Sequence, residues 1–344
     1  MLKIKKLGMA VVCCVMAVVL LTGCGGSAKQ ADNKTEKGSG NKGEINLYTS
    51  QPEADAQKLI AAFNKKYPDV KVKIFRSGTE EIISKVMAEK KLGKVQADVL
   101  LVSDEATFEQ LKGKDILEKY ISQETKDIPS QLLDKDGTYA GTKIIATGIM
   151  YDTKKITTPP KSFMDLTTAS FKNQVSMPSP LYSGAAAYNL SLLTRTNGLG
   201  WAFYQGMKAN DVKVGKGNGS VLKDVTDGSR AVGIIVDYMA LRAKAKGSSV
   251  NFVYPTEGVP VVTEPIGIIK GSANIKLAKL FEDFILSVDG QKVTSEIGYT
   301  PVRKGVAAPK GFLTIDQMKI ITGNLTELVQ AREADKQKFT QLFK

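Results

Sequence analysis

The chain has 344 residues, with 48 Lys and Arg, 35 Asp and Glu, three Cys and no His. Its 42% hydrophobic and 24% charged residues are typical of a globular protein, and its length suggests two domains. Without histidine the chain has no Ser-His-Asp or Cys-His nucleophile, no His-bound zinc and no imidazole proton shuttle. These absences exclude most hydrolase and metalloenzyme functions.

The N-terminus is typical of an export signal. Lys3, Lys5 and Lys6 precede an uncharged apolar run over residues 9–21, which is too short to span a membrane as a helix. The run ends in LTGC, which resembles the bacterial lipobox. We therefore predict that residues 1–23 are a signal peptide and that Cys24 is diacylated and becomes the first residue of the mature protein.

A polar segment follows the predicted lipid. Residues 24–43 are rich in Gly, Ser, Lys and Asn and contain no large apolar side chain, which predicts a flexible tether. The other two cysteines leave with the signal, so no disulfide is expected. The protein is thus predicted to lie on the extracytoplasmic face of a cell membrane, anchored through Cys24, and its many lysines favour a Gram-positive host over a Gram-negative one.

The formal net charge is +13, and the lysines are scattered among acidic residues. Nucleic-acid binding favours a concentrated basic stripe with aromatic residues, so no nucleic-acid partner is expected. The charge indicates at most a mild attraction for anionic ligands. We expect a monomer.

The first folded segment alternates strands and helices. Strands are predicted at 45–48, 70–75 and 97–102, each followed by an amphipathic helix, and Ser77-Gly-Thr-Glu80 has the spacing of a capping box. This order predicts an open parallel sheet covered on both faces, with a ligand crevice beyond the carboxyl ends of the strands. The polar residues that follow the strands are therefore candidate ligand contacts: Tyr48, Thr49, Ser50, Gln51, Ser77, Gly78, Thr79, Ser103 and Asp104.

Two β-rich segments, residues 139–151 and 259–270, are predicted to cross between two lobes. Lobe 1 would comprise 44–145 plus 265–344, and lobe 2 would comprise 146–264. The predicted fold is therefore α/β with two lobes, each an open, mostly parallel sheet with helices on both faces, joined by two hinge crossover strands that leave a cleft between the lobes.

The second lobe adds further candidates. Ser183, Gly184 and Ala185 lie where a strand gives way to a helix, and the free N–H groups and dipole of a helix N-terminus favour an oxyanion. An ordinary helix cap is the alternative role for Ser183. Asp237 and Tyr238 follow an apolar strand, and Glu257 lies in a turn.

Seven segments resemble, in their order and spacing, ABC-importer solute-binding lipoproteins of the group that serves ferric iron, phosphonates, phosphate esters and thiamine. The resemblance runs from Ile45 to Arg303 and is carried by LYTSQP, RSGTEEIISKVMAEK, QADVLLVSD, PSPLYSGAAAY, VGIIVDYMAL, EGVPVVTEPIGIIKG and GYTPVR. It implies a type II-like periplasmic-binding-protein fold, a permease and an ATPase as partners, no cofactor and no enzymatic activity. It also implies that the Ser183-Gly184-Ala185 segment contacts a phosphate, a phosphonate or the anion that accompanies iron.

The favoured ligand is a small phosphonate or phosphate ester. Ser77, Gly78 and Thr79 at one helix start would face the Ser183 cluster across the cleft, so that two opposed helix N-termini hold a doubly charged head group. Asp237 or Glu257 would pair with an amino group at the other end of the ligand.

Ferric iron is the alternative ligand. Ferric members of this group place two adjacent tyrosines where this chain has Asp237 and Tyr238, and they often carry a histidine where this chain has Gln51. An all-oxygen shell would have to come from Tyr48, Tyr182, Asp237 and Tyr238. Thiamine is a remote alternative, because a flat aromatic cation favours Trp or Tyr faces near carboxylates, and the single Trp201 lies in a helical stretch and is expected to pack in the core of the second lobe. A surface enzyme that uses Asp104 and Asp237 as an acid-base pair is another remote alternative.

Overall fold

The computed structural model describes residues 41–344. The predicted signal peptide, Cys24 and most of the predicted tether lie outside the described residues. From Gly40 to Lys344 the chain forms one compact unit. No helix in this part of the chain is both long and apolar enough to cross a bilayer.

The strands are, in chain order, β1 (Gly43–Thr49), β2 (Val70–Arg76), β3 (Val99–Leu101), β4 (Ala140–Gly141), β5 (Lys143–Asp152), β6 (Val175–Pro178), β7 (Lys213–Gly215), β8 (Val232–Val236), β9 (Val250–Val253), β10 (Val261–Val262), β11 (Pro265–Ile268) and β12 (Thr300–Pro301). The α-helices are α1 (Glu53–Lys66), α2 (Thr79–Lys91), α3 (Glu105–Gly113), α4 (Gly184–Leu193), α5 (Gly200–Ala209), α6 (Asn218–Thr226), α7 (Asp237–Ala245), α8 (Ile275–Leu286), α9 (Val288–Ile297) and α10 (Leu325–Leu342). Short 3-10 helices cover Gln123–Asp127, Ser130–Leu132, Met164–Thr167, Ala169–Phe171 and Ile315–Gln317.

The strands form two sheets. The first has the order β2-β1-β3-β11-β4, and the second has β10-β5-β8-β6-β7 with β9 and β12 also paired to β5. Each sheet contains one parallel block of three strands, β1–β3 in the first and β6–β8 in the second, and the remaining pairs are antiparallel. The two-sheet α/β fold predicted from the sequence is confirmed. The antiparallel strands that join the parallel blocks come largely from the two crossover segments, which run against the blocks as they pass from sheet to sheet.

The crossover segments bond to each other where they leave the first sheet. The backbone N–H groups of Thr142 and Lys143 both donate to the carbonyl of Thr263, at 3.0 and 3.1 Å. The Thr142 hydroxyl donates to the carbonyl of Glu264 at 2.7 Å. The two connections therefore form one hydrogen-bonded junction between the sheets.

Helices cover both faces of the first sheet. Along β1, Ile45 and Leu47 pack in the cluster that contains Phe63 of α1, whereas Tyr48 packs with Ile82 of α2 on the other face. This alternation is the two-residue period of a strand. It decides which of the strand-end residues can reach the cleft.

The C-terminal helix α10 contacts both halves of the molecule. Phe339 lies edge-on to Tyr204 of α5, in the apolar cluster of the second sheet, with 6.1 Å between ring centroids. Arg332 reaches α2 and α3 beside the first sheet. The assignment of residues 265–344 to lobe 1 and the other lobe boundaries stay predictions.

The capping box predicted at Ser77 does not form. Helix α2 begins at Thr79 with Gly78 as its N-cap, which offers no side chain, and the Ser77 hydroxyl is hydrogen-bonded to Glu81 instead. The helix thus begins one residue later than the capping-box spacing predicts, and its N-cap offers no side-chain acceptor to the N–H groups of the first turn.

Candidate functional site

A cleft of about 350 Å³ lies beyond the carboxyl ends of both parallel blocks. The first turns of four helices, α2, α4, α6 and α7, contribute to its wall. Its lining comprises Ser50, Pro52, Arg76, Gly78, Thr79, Ser103, Ile145, Tyr182, Ser183, Gly184, Ala185, Lys216, Gly217, Asn218, Gly219, Ser220, Val236, Tyr238, Met239 and Glu264.

Hydroxyl groups dominate the wall on the side of the first sheet. The Ser103 N–H donates to the Ser50 hydroxyl at 3.2 Å and to the Thr79 hydroxyl at 3.3 Å, so that three strand ends are tied together. The Ser103 Oγ is buried and has no hydrogen-bond partner among the described residues. A buried hydroxyl without a hydrogen-bond partner lowers the stability of the folded protein unless a ligand or a water molecule bonds to it.

The opposite wall is built from the starts of α4 and α6. The Ser183 hydroxyl caps α4 by accepting from the Ala186 N–H at 3.3 Å, and it also contacts the Asn218 side-chain amide at 3.2 Å. The Asn218 side-chain oxygen, Oδ1, accepts from the Val236 N–H at 3.2 Å. Asn218 therefore couples the N-terminus of α6 to the cap of α4 and to the end of β8.

The two walls touch, and the cleft is closed. A Cβ on Gly78 would lie 2.5 Å from the Tyr182 carbonyl oxygen, and a Cβ on Gly184 would lie 2.8 Å from the Thr79 side chain. Both distances are below any normal carbon contact. Glycine at these two positions is therefore what allows the α2 and α4 termini to approach each other.

Two cations stand at the closed seam. Arg76 donates through Nε to the Gln51 carbonyl at 3.0 Å and through Nη1 to the Tyr182 hydroxyl at 3.3 Å. Lys216 lies 3.3 Å from the Glu81 carboxylate and 4.3 Å from the centroid of the Tyr182 ring. Together with the helix N-termini, they make this end of the cleft favourable for an anion.

A carboxylate marks another part of the cleft wall. Glu264 adopts a positive φ of 40°, in the crossover junction, and its side chain is bonded to the buried Lys143 and to the Gln51 amide. Burial lowers the pKa of Lys143, and the Glu264 carboxylate opposes that shift. A non-glycine residue in this backbone region costs energy and is retained only where surrounding contacts hold it.

The predicted contacts divide into two groups. Ser50, Gly78, Thr79, Ser183, Gly184, Ala185 and Tyr238, and also Tyr182 of the proposed iron shell, line the cleft. Ser103 lines it too, whereas the candidates outside its lining are Tyr48, Thr49, Gln51, Ser77, Asp104, Asp237 and Glu257.

Strand alternation and local bonding explain why the second group lies outside. The Tyr48 hydroxyl donates to Glu89 of α2 at 2.9 Å, on the helix-covered face of the sheet. Gln51 is buried behind the cleft against Glu264. The Glu257 Oε1 accepts from the Ser162 hydroxyl at 3.0 Å and from the Phe163 N–H at 2.5 Å. Its carboxylate therefore joins two loops outside the cleft.

The two predicted strand-end aspartates are fully buried. Asp104 caps α3 and pairs with Arg332, and burial raises its pKa against the opposing effect of the guanidinium. Asp237 begins α7, and burial raises its pKa to about 7. Neither carboxyl group lines the cleft, so the structure does not provide the acid-base pair that an enzyme reading would need.

The four oxygen ligands suggested for iron do not converge in this closed form. Tyr182 and Tyr238 line the cleft, whereas Tyr48 and Asp237 do not. Within residues 41–344 no three His, Cys, Asp or Glu side chains are grouped as a metal site. Burial, followed by the Glu264 carboxylate, raises the pKa of Tyr238, which disfavours a free phenolate.

Trp201 is also absent from the cleft lining. It packs beside Tyr204 in the cluster of the second sheet, with 5.9 Å between ring centroids, and Lys338 lies over its ring. The stacking role suggested for thiamine therefore has no support at this position.

Sequence reasoning missed several cleft residues. The largest omission is the segment 216–220, KGNGS, which follows the three-residue strand β7 and opens α6. Arg76 and Glu264 were also missed. The glycine-rich turn at a strand-to-helix junction is the signal that selected Ser183-Gly184-Ala185, and the same signal was present at 216–220.

Comparison with known proteins places this chain in a family. The family of bacterial extracellular solute-binding proteins matches residues 95–320. A Sinorhizobium fredii protein named as a probable ABC transporter periplasmic-binding protein is 25% identical over 250 residues, which cover 67% of each chain. A Salmonella typhimurium protein named as a candidate 2-aminoethylphosphonate-binding periplasmic protein is 25% identical over 226 residues, covering 61% of this chain and 64% of that one.

Solved structures agree on the fold. The periplasmic binding protein AfuA from Actinobacillus pleuropneumoniae, with fructose-6-phosphate bound, superimposes with a TM-score of 0.82 at 22% identity, covering 88% of this chain and 99% of that one. Iron-bound HitA from Pseudomonas aeruginosa gives a TM-score of 0.77 at 22% identity over 86% and 99%. The family is one of binding proteins that serve transport and not of enzymes. With its family match over most of the folded region and its two-sheet fold, this chain belongs to the bacterial extracellular solute-binding proteins.

Proposed function

We propose that this chain is the solute receptor of an ABC importer and that it captures a small phosphonate or phosphate ester. The observation that carries the proposal is the meeting of three helix N-termini, those of α2, α4 and α6, beside Arg76 and Lys216. These groups offer hydrogen-bond donors and positive charge without a metal, which suits a dianionic head group.

Glu264 extends the proposal to the rest of the ligand. Its carboxylate takes the role that Asp237 or Glu257 was expected to play, because it is the acidic side chain that lines the cleft. A ligand with an amino group opposite its phosphonate would satisfy both ends. The names of the Salmonella and Actinobacillus relatives are consistent with a phosphorus-containing solute.

Calorimetry on the protein from Gly25 to Lys344, unfolded and refolded to remove bound solute, tests the proposal. This stretch contains the whole compact unit. We expect saturable one-to-one binding of 2-aminoethylphosphonate or a sugar phosphate. Loss of one hydrogen bond to a charged head group costs about 1.5–3 kcal/mol, so Ser183→Ala and Thr79→Val should each weaken binding by about tenfold or more.

Matched controls come from exposed residues of the same type. Ser170→Ala and Thr153→Val lie outside the cleft lining and should leave the dissociation constant unchanged. Equal weakening by cleft and control variants would contradict the assignment of the site, and absence of heat with every phosphorus compound would contradict the ligand class.

Ferric iron is the second candidate, because Tyr182 and Tyr238 line the same cleft. Addition of ferric citrate to the stripped protein would then produce a visible charge-transfer band that saturates at one iron per protein. Disappearance of this band in Tyr238→Phe would reverse the ranking of the two ligands. A flat spectrum would remove tyrosinate-bound iron from consideration.

The partners and location follow from the same proposal. A permease and an ATPase would receive the solute, and a lipid on Cys24 would hold the receptor at the extracytoplasmic face of a Gram-positive membrane. Radiolabelled palmitate should label the wild-type protein in its host and should not label Cys24→Ala.

A further inference from the structure

The edge of the first sheet opposite the cleft, where its parallel strands begin, is rich in exposed lysine. Strands β1, β2 and β3 begin at this edge, and helices α1, α2 and α3 end there, because each helix runs back against its strand. We define the basic end as the exposed lysines at this edge: Lys42, Lys65, Lys66, Lys90, Lys91, Lys94, Lys114, Lys270 and Lys276.

Direct contacts hold these loops together. The Gly43 N–H donates to the Asp69 carbonyl at 3.2 Å, which joins the start of β1 to the loop after α1. The Asp98 carboxylate accepts from the Asn46 N–H at 2.7 Å and from the Ser272 hydroxyl at 2.6 Å. The basic end is therefore a fixed surface made of several loops.

Acidic residues do not neutralise this surface. Asp98 is turned inward, and Asp115 pairs with Lys270, with the Lys270 nitrogen 2.7 Å from the nearer carboxylate oxygen. Asp69, in the loop after α1, is exposed, but one carboxylate does not offset the charge of the surrounding lysines. Eight of the nine lysines, all except Lys270, form no ion pair with any residue in the described part of the chain. The result is a local excess of positive charge that the scattered sequence pattern does not reveal.

An apolar tip protrudes from the centre of the basic end. Leu92, directly after α2, is 87% exposed and is flanked by Lys91 and Lys94. Beside it, a cavity of about 240 Å³ is lined by Lys90, Lys94 and Lys270 among other residues. Lysines around an exposed apolar side chain are typical of surfaces that bind the interface of an anionic membrane.

We propose that the basic end docks on an anionic bilayer, with its lysines contacting lipid phosphates and Leu92 entering the interface. The cavity beside Leu92 would seat a head group. The chain enters the described region at this edge, so the lipid predicted on Cys24 would tether the same end. Because the cleft lies at the opposite ends of the same strands, a docked receptor holds its cleft away from the bilayer. The proposal does not depend on which solute the cleft binds.

Vesicle sedimentation with the unlipidated protein from Gly25 to Lys344 tests the proposal. Vesicles of equal parts phosphatidylglycerol and phosphatidylcholine should bind the protein at low salt, and binding should fall as salt screens the charges. Vesicles of phosphatidylcholine alone should not bind it. Equal binding to both kinds of vesicle, or binding to neither, would overturn the proposal.

A matched pair of triple variants separates this surface from net charge. Lys65→Gln, Lys91→Gln and Lys94→Gln combined should weaken binding to the mixed vesicles by about tenfold or more, since each lysine near such a surface contributes measurably. Lys154→Gln, Lys161→Gln and Lys172→Gln remove the same charge from exposed sites remote from the basic end and should change binding by less than about threefold. Equal losses would contradict a local surface.

Leu92→Ser isolates the apolar contribution and should weaken vesicle binding while its salt dependence persists. Solute binding in the cleft should be unchanged in all of these variants, which confirms that they fold. If Leu92→Ser instead abolishes a dimer seen by sedimentation without affecting vesicle binding, the surface pairs with a second copy of the chain and the membrane proposal fails.

Discussion

Asp104 and Asp237 stand at matching places in the two halves of the molecule. Each lies at the junction between a buried strand and the helix that follows, and each side chain is completely buried. Asp104 binds Arg332 through both of its oxygens, at 3.1 and 2.9 Å. Asp237 accepts from the Tyr238 N–H at 2.7 Å through Oδ1, and its Oδ2 has no partner among residues 41–344.

The difference shows that a buried carboxyl group takes its role from its partner. With a guanidinium beside it, Asp104 becomes an anchor that fixes α10 and tolerates a backbone φ of 77°. Asp237 has no guanidinium beside it, and burial raises the pKa of its carboxyl group to about 7. The same strand-to-helix pattern thus gives a carboxyl group paired with a guanidinium in one half and a carboxyl group without such a partner in the other.

Removal of Arg332 should have the largest effect. Arg332→Met leaves Asp104 and Glu80 buried without their shared guanidinium, and breaking a buried pair from one side costs about 3–5 kcal/mol of the free energy of unfolding. Urea denaturation at neutral pH measures the loss. Lys336→Met, on the same helix and also paired to Glu80, retains the Arg332 bridge and should cost about 1 kcal/mol or less. Equal losses would show that Arg332 is not the anchor.

Substitution of Asp237 should change the pH dependence of stability. In the unfolded chain this carboxyl ionises near pH 4, whereas in the folded protein it does so near pH 7, so the wild type loses stability relative to a neutral residue as pH rises between these values. The stability of Asp237→Asn relative to wild type should therefore increase by about 2–4 kcal/mol over that range. Asp316→Asn, at an exposed site, should show no such increase. If the stabilities of Asp237→Asn and Asp316→Asn, each relative to wild type, change with pH in the same way, burial does not raise the pKa of Asp237.

The smallest effect is expected at the cap of α3. The Thr107 hydroxyl donates to Asp104 Oδ2 at 3.1 Å, beside the stronger bonds from Arg332 and from the Thr107 backbone. Thr107→Val should cost about 1 kcal/mol in urea denaturation, with solute binding unchanged. Thr226→Val, where the hydroxyl bonds only within its own exposed helix, is the control. A loss as large as that of Arg332→Met would mean that the cap and not the ion pair fixes Asp104.

The sequence predicts the strand ends well and the side-chain directions poorly. Residues around Gly78 and Gly184 line the cleft as expected, because they follow strands of the two parallel blocks, whose carboxyl ends face it. Tyr48 is one residue too early in its strand, so the two-residue period directs it to the helix-covered face. Asp104 could not be assigned from local sequence, because its partner Arg332 is 228 residues away.

Other parts of the site depend on features without a strong sequence pattern. Strand β7 has three residues and α6 has nine, too short for a clear hydrophobic period, so the segment 216–220 was not recognised as a cleft wall. Glu264 lies in a crossover junction whose geometry depends on hydrogen bonds between two distant segments. The basic end is likewise assembled by folding, since its lysines come from helix ends and loops spread between Lys42 and Lys276.

The position of Arg332 in the last helix sets an order of events during synthesis. The residues it joins, Glu80 and Asp104, are made early, whereas α10 is made after all the other described helices and strands. Contacts of such long sequence separation form slowly and cannot form at all before the C-terminus is available. A chain in which α10 has not yet been made therefore leaves Glu80 and Asp104 without their shared guanidinium, and the contacts of α10 with both halves of the molecule can form only afterwards.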